Sequence, residues 1–330
     1  MSFRTLLAFT AAAIALAVSP SVTAQSAPGP RVSPADIVRG AAASEWRSIA
    51  ADDLLVMTLA PPAGGAATRR VVIQLLPAPL SARWVANIRT LAKAHWWDGT
   101  SVNRVQDNYV AQWGDATEKK PLPAGLSTMS EGEYDLAWSA LPTAGGAASA
   151  PVGGFPGQDG TLRPADVYAP GLTWYRGFAL ATDMKPVDEA RRVWPVHCYG
   201  MVGVGRGMSP DTGSGAELYA VIGHAPRHLD RNIALAGRVV EGMEYLSSLP
   251  RGTGELGFYE KPGERTPILR VRLASDLPAV EQPHYAYLTS EGESWPRYVA
   301  ARRNREPPFF NRPADAADVC NIPVPVKRLP

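Results

Sequence analysis

The sequence of 330 residues has only two cysteines, Cys198 and Cys320. Two isolated thiols cannot complete a zinc site, which excludes a metal finger. They leave two alternatives open: a disulfide or a pair of buried free thiols. An excess of one charge is also lacking. Lys and Arg number 33 against 31 Asp and Glu, a formal net charge of +2. No basic run stands out, which argues against a nucleic-acid partner. Histidines that could share a metal are missing too. His224 and His228 are four apart, but Pro226 between them breaks the helix that would align them, and no metal is assigned. A serine nucleophile elbow, G-x-S-x-G, does not occur. The glycine-rich stretch GMVGVGRGMSPDTGSG, residues 200–215, fails the G-x-G-x-x-G test, because the third glycine falls on Met208 or Pro210. No cofactor is expected.

Long apolar runs are absent after the first residues. LLAFTAAAIALAV, residues 6–18, is shorter than the roughly 20 residues that a membrane span needs. It follows a short positive start, MSFR, and precedes PSVTA, where Val22 and Ala24 have signal-peptidase spacing. Residues 1–24 therefore read as a signal peptide cleaved after Ala24; the alternative is an uncleaved N-terminal anchor. The expectation is a periplasmic or secreted protein, not held in a membrane once cleaved.

Proline and glycine are plentiful, at 31 and 30 residues, which favours short strands and many loops. Residues 25–50, rich in Ala, Pro, Gly and Ser over most of their length, read as an N-terminal tether. LLVMTL (54–59) and RVVIQLL (70–76) read as a hairpin. Residues 81–97 have helical spacing, with Ser81 as N-cap. Strands are expected near 101–106, 108–113, 199–207, 216–223, 232–240 and 268–274, with a short helix over 241–250. Residues 171–183 suggest a hairpin inside an otherwise low-complexity region, and 276–330 read as an irregular, proline-rich extension. This inventory points to a sandwich or barrel.

One stretch, VNRVQDNYVAQWGD (102–115), sets Arg104 and Gln112 in an apolar, strand-like segment. Neither is a nucleophile or a general base. A site built from them works by hydrogen bonding and positioning.

The order of these pieces resembles the cyclophilin-type peptidyl-prolyl isomerases. VVIQLLPAPLSARWVANI leads through Asn87-Ile88 and the turn Trp97-Asp98-Gly99 to the Arg-Val segment and the Gln-x-Gly-Asp close. YGMVGVGRG and SGAELYAVIGHAPRHLDRNIALAGRVVEGME are similar to the family's second half. The resemblance covers roughly 54–115 and 199–274. It implies a mainly β fold, a closed eight-stranded antiparallel barrel with two capping helices, over residues 51–275. An insertion would occupy about 116–196, with a C-terminal extension over 276–330.

The resemblance also implies roles. Arg104 and Gln112 would be catalytic. Tyr109, Val110, Gly205, Glu217, Tyr219, His228 and Leu229 would bind substrate, a proline-containing polypeptide segment. The family usually has Phe at the positions of Tyr109 and Tyr219, Gln at Glu217, Ala at Gly205, Asn at Arg206, Trp at His228 and His at Ile233. The implied function is isomerisation of X-Pro bonds in exported proteins. The alternatives are a non-catalytic proline-peptide binding module and a folding chaperone. A Cys198–Cys320 bridge would pin the C-terminal extension to the barrel.

Overall fold

The structure, a computed structural model, describes residues 32–62, 64–142, 152–156, 161–186, 190–305 and 309–330. The signal-peptide reading of 1–24 lies outside them. The first elements are α1 (Pro34–Gly40), β1 (Trp46–Ser48), β2 (Leu54–Leu59), β3 (Arg69–Leu75), α2 (Ala82–Lys93), β4 (Ser101–Val105) and β5 (Val110–Gly114). The inserted region holds β6 (Leu136–Ala137), β7 (Gly154–Pro156), β8 (Leu162–Pro164), β9 (Gly171–Tyr175), β10 (Phe178–Thr182) and β11 (Arg192–Pro195). Then come β12 (Met201–Val204), β13 (Leu218–Val221), β14 (Leu235–Glu241), α3 (Met243–Ser247), β15 (Thr266–Leu273), β16 (Tyr285–Leu288), α4 (Ser294–Arg303) and β17 (Val326–Arg328).

Eight strands close a barrel in the order β12-β13-β5-β4-β15-β2-β3-β14, every pair antiparallel. Period-two alternation sends Leu55, Met57, Leu59, Val71, Ile73, Leu75, Ala111, Trp113, Leu218 and Ala220 into the barrel core. Trp84, Val85, Ile88 and Leu91 of α2 close onto the same core, as does Leu246 of α3. These are the two capping helices. Ser81 precedes α2 as expected, but it is buried in left-handed backbone and its side chain makes no capping bond. The helix also ends at Lys93, and 94–97 continue as turns.

The regions read as tether, insertion and extension form a second layer. α1 and β1 lie within 25–50, so its described part is ordered, in contrast to the tether expected there. β1, β16 and β17 form one sheet, and β6, β11, β10 and β9 form another. Ile37, Leu172, Trp174, Trp194, Trp295, Tyr298 and Ile322 share a separate core, in which the Trp174 and Trp295 rings meet edge to face at 5.3 Å. The extension 276–330 is thus a packed part of the fold and not irregular throughout. All three segments contribute to this separate core, while Ile49, Leu277 and Tyr285 cover the outer face of the barrel and Tyr175, Phe178 and Leu180 of the insertion join the barrel core. Cys198, just before β12, and Cys320 are disulfide-bonded across 122 residues and tie this layer to the barrel.

Candidate active site

The open wall of the barrel is built by β4, β5 and β13. Arg104 pairs with Gln112, and Gln112 pairs with Tyr219, so the three stand in one row across adjacent strands. A register shift in β4 between Val102 and Arg104 lets Val102 and Val105 both enter the core while Arg104 points out. The outward set of β5 and β13 is Val110, Gln112, Tyr219 and Val221. Val110, Tyr219 and Val221 form a small apolar cluster with Tyr109 and Ile233.

A groove of about 730 Å³ runs over this wall. Arg104, Gln112, Tyr109, Val110, Gly205, Glu217, Tyr219 and Leu229 line it. His228 does not: it is exposed on the loop beside Leu229, where its backbone carbonyl accepts from Asn232. The short helical turn Arg227–Leu229 directs Leu229, and not His228, to the groove.

Three neutral acceptors fix the Arg104 guanidinium. Nε donates to the Leu256 carbonyl at 2.7 Å, Nη1 to Gln112 Oε1 at 3.0 Å, and Nη2 to Gln106 Oε1. The Tyr109 and Phe258 rings flank it, 5.8 and 5.5 Å from its central carbon. Arg104 has no ion-pair partner among the described residues. The acids nearest in sequence or strand register are engaged elsewhere: Asp107 pairs with Arg251 at 2.8 Å, and Glu217 Oε1 accepts from the Asp115 backbone N–H at 2.7 Å. Burial lowers the Arg104 pKa from its usual value.

Glu217 Oε1 accepts the Asp115 backbone N–H, and the nearby Gln112 and Asn103 amides favour its charged form against the larger effect of burial. Gln112 Oε1 accepts from Arg104 Nη1, which leaves the amide NH₂ as the end that faces Glu217. Gly114 makes room for this, because a Cβ there would lie 1.8 Å from Glu217 Oε1. Burial pushes the Glu217 carboxyl up from its ordinary range.

The loop that carries Leu256 and Phe258 was missed in the sequence. It has no strand or helix pattern, and Leu256 takes a left-handed backbone, φ 54°, that its residue type does not announce. Among the described residues no three His, Cys, Asp or Glu side chains gather as a metal site.

Residues 68–273 match the family model for the cyclophilin type peptidyl-prolyl cis-trans isomerase/CLD. The chain belongs to this family of peptidyl-prolyl cis-trans isomerases. Cyclophilin AquaCyp293 from Hirschia baltica superimposes with a TM-score of 0.63 at 21% identity, covering 86% of this chain and 93% of that one. A cyclophilin-type peptidyl-prolyl cis-trans isomerase of Cryptosporidium parvum, solved in the presence of the dipeptide Ala-Pro, gives a TM-score of 0.35 at 10% identity. That match covers 67% of this chain and 98% of the other. No curated protein sequence matches the chain.

Proposed function

We propose that the protein isomerises X-Pro bonds in exported polypeptides, with Arg104 as the donor that weakens the amide. The prolyl bond turns over a barrier of roughly 18–20 kcal/mol set by amide resonance. A guanidinium N–H directed at the prolyl nitrogen localises its lone pair and removes part of that resonance. The carrying observation is the state of Arg104. Three of its five N–H groups are engaged, which leaves one on each Nη for a substrate. No carboxylate among the described residues neutralises the charge. A preorganised donor at an apolar wall is worth more than one in water.

Tyr109, Val110, Tyr219 and Leu229 supply the surface for the proline ring. A proline-containing segment of a flexible polypeptide is the partner this groove suits. Export is supported by the charge, apolar and cleavage-site pattern of residues 1–24 and suits a structure with a disulfide. A protease-coupled assay on a short X-Pro peptide tests the reading, with Arg104→Ala as the control for background. Wild type that binds the peptide without accelerating its isomerisation would make the protein a proline-peptide binding module. Equal suppression of aggregation for a client lacking proline would make it a chaperone.

A further inference from the structure

Behind the Tyr219 ring stands a buried polar strut that the reaction above does not use. Tyr219 is 4% exposed and His197 0%. The Tyr219 hydroxyl lies 3.0 Å from His197 Nε2, and His197 Nδ1 lies 2.9 Å from Asp230 Oδ1. The His197 backbone N–H donates to the same oxygen at 2.9 Å. Asp230 Oδ2 accepts from Arg227 Nε at 2.6 Å, and Arg227 Nη1 donates to Asp166 Oδ2 at 2.6 Å. The strut thus runs from the groove wall to the inserted region.

The donors and acceptors can be assigned. A carboxylate only accepts, so Nδ1 carries the imidazole proton. Burial depresses the His197 pKa and keeps the ring neutral, so Nε2 accepts from the Tyr219 hydroxyl. The ring also fills space that a side chain opposite would take: Gly203 is its cross-strand partner, and a Cβ there would lie 2.2 Å from Tyr219 Cζ. Tyrosine is thereby accommodated where the family usually has phenylalanine.

We infer that His197 is a positioning residue of the proline pocket. It engages the Tyr219 hydroxyl, so that the ring meets the groove as an apolar wall, and through Asp230 it holds the loop that brings Leu229 to the same pocket. The inference rests on the isomerase reading and names what sets the pocket's preference for an apolar ring. Without His197 the buried hydroxyl loses its acceptor and must hydrate or turn toward the groove.

The test is the affinity for a short X-Pro peptide, measured by NMR titration, for wild type, His197→Leu, Tyr219→Phe and the double variant. His197→Leu weakens binding about ten-fold, the cost of an unsatisfied buried hydroxyl. Tyr219→Phe in the His197→Leu background restores most of the loss, because no hydroxyl remains to satisfy. A merely structural His197 would lower the unfolding midpoint and leave the Kd of the folded fraction unchanged, and that result overturns the inference, as does failure of the second change to rescue. Should His197→Leu not fold, long-range 1H–15N spectra of wild type decide: Nδ1 protonated and Nε2 bare from about pH 6 to 8 is expected, and the reverse tautomer overturns it. Wild type that binds the peptide but does not isomerise it refutes the isomerase reading alone; wild type that does not bind refutes both.

Discussion

The two sides of the barrel obey the same alternation and present opposite chemistry. On β2 and β3 the outward residues include Leu54, Val56 and Val72, covered by Ile49, Leu277 and Tyr285 of the flanking segments, and Gln74, buried against Arg238. On β4, β5 and β13 the outward row is Arg104, Gln112 and Tyr219, and it faces a groove. A covered wall is mostly apolar on both faces, so its strands read as nearly continuous hydrophobic runs. An open wall can hold long polar side chains, and here it does so by bonding them to one another. The difference teaches where function can sit: the barrel interior is filled by side chains, and only the wall left uncovered is available for a substrate.

The largest effect should come from the covered side. Replacing Cys320 by Ser, or reducing the bridge, releases a loop of 122 residues, worth up to about 4–5 kcal/mol on the chain-entropy account. Denaturant unfolding with and without reductant reads this directly. An unchanged midpoint would break the idea that the covalent tie supports the second layer.

The next effect belongs to the open side. Arg104→Ala should lower kcat/KM by about 10²–10³-fold, roughly 3–4 kcal/mol, with the fold intact by circular dichroism. Arg104→Lys should recover little, since an ammonium cannot span the Gln106, Gln112 and Leu256 acceptors together. Full activity in Arg104→Ala would mean that the donor has been misassigned.

Acid should weaken the open side. His197 has a folded pKa below its ordinary 6.5, so the unfolded chain binds its proton first as pH falls. The stability from this group is present above about 6.5 and is lost on acidification. Asp115, whose desolvation is outweighed by bonds from Lys120, Thr117 and Lys119 that lower it to about 2, adds stability above its ordinary 3.8 that is lost toward pH 2. The stability–pH curve of His197→Leu should be flatter than that of wild type between about pH 5 and 7. Identical slopes would show that His197 does not titrate as assigned.

The smallest effect is expected at Glu217. Its pKa is raised by burial, so ionisation opposes folding as pH rises through the shifted value, and the penalty vanishes at acid pH. Glu217→Gln should raise stability near neutral pH and have no such benefit well below pH 4. Loss of stability at neutral pH instead would mean that the carboxylate charge is needed to hold Gln112 and the Asp115 N–H.

Much of the barrel was legible because its strands are local patterns. LLVMTL, RVVIQLL and AELYAVIG each carry their own apolar alternation or run, and each became a barrel strand. Arg104, Gln112, Tyr109 and Tyr219 were legible because they sit in or beside such strands, at spacings that resemble the family's. The second layer was legible only in the hairpin expected over 171–183, which is β9 and β10. α1, β16 and α4 are short and bounded by proline or polar residues, and α4 has apolar residues on no consistent face. Their burial depends on partners more than 100 residues away, such as Trp174 for Trp295.

Residue type and local spacing alone pointed to a β sandwich or barrel and to a site built for hydrogen bonding and not for covalent attack; the closed eight-stranded form was what the family resemblance implied. The tertiary structure alone decided which wall stays open, that Glu217 takes the Asp115 N–H and does not pair with Arg104, that Leu256 contributes a carbonyl, and that His197 stands behind Tyr219. The physical reason is the range of the interactions. Alternation and propensity act between neighbours in sequence, whereas the orientation of a guanidinium or a buried hydroxyl is set by whichever acceptor the closed barrel brings within about 3 Å.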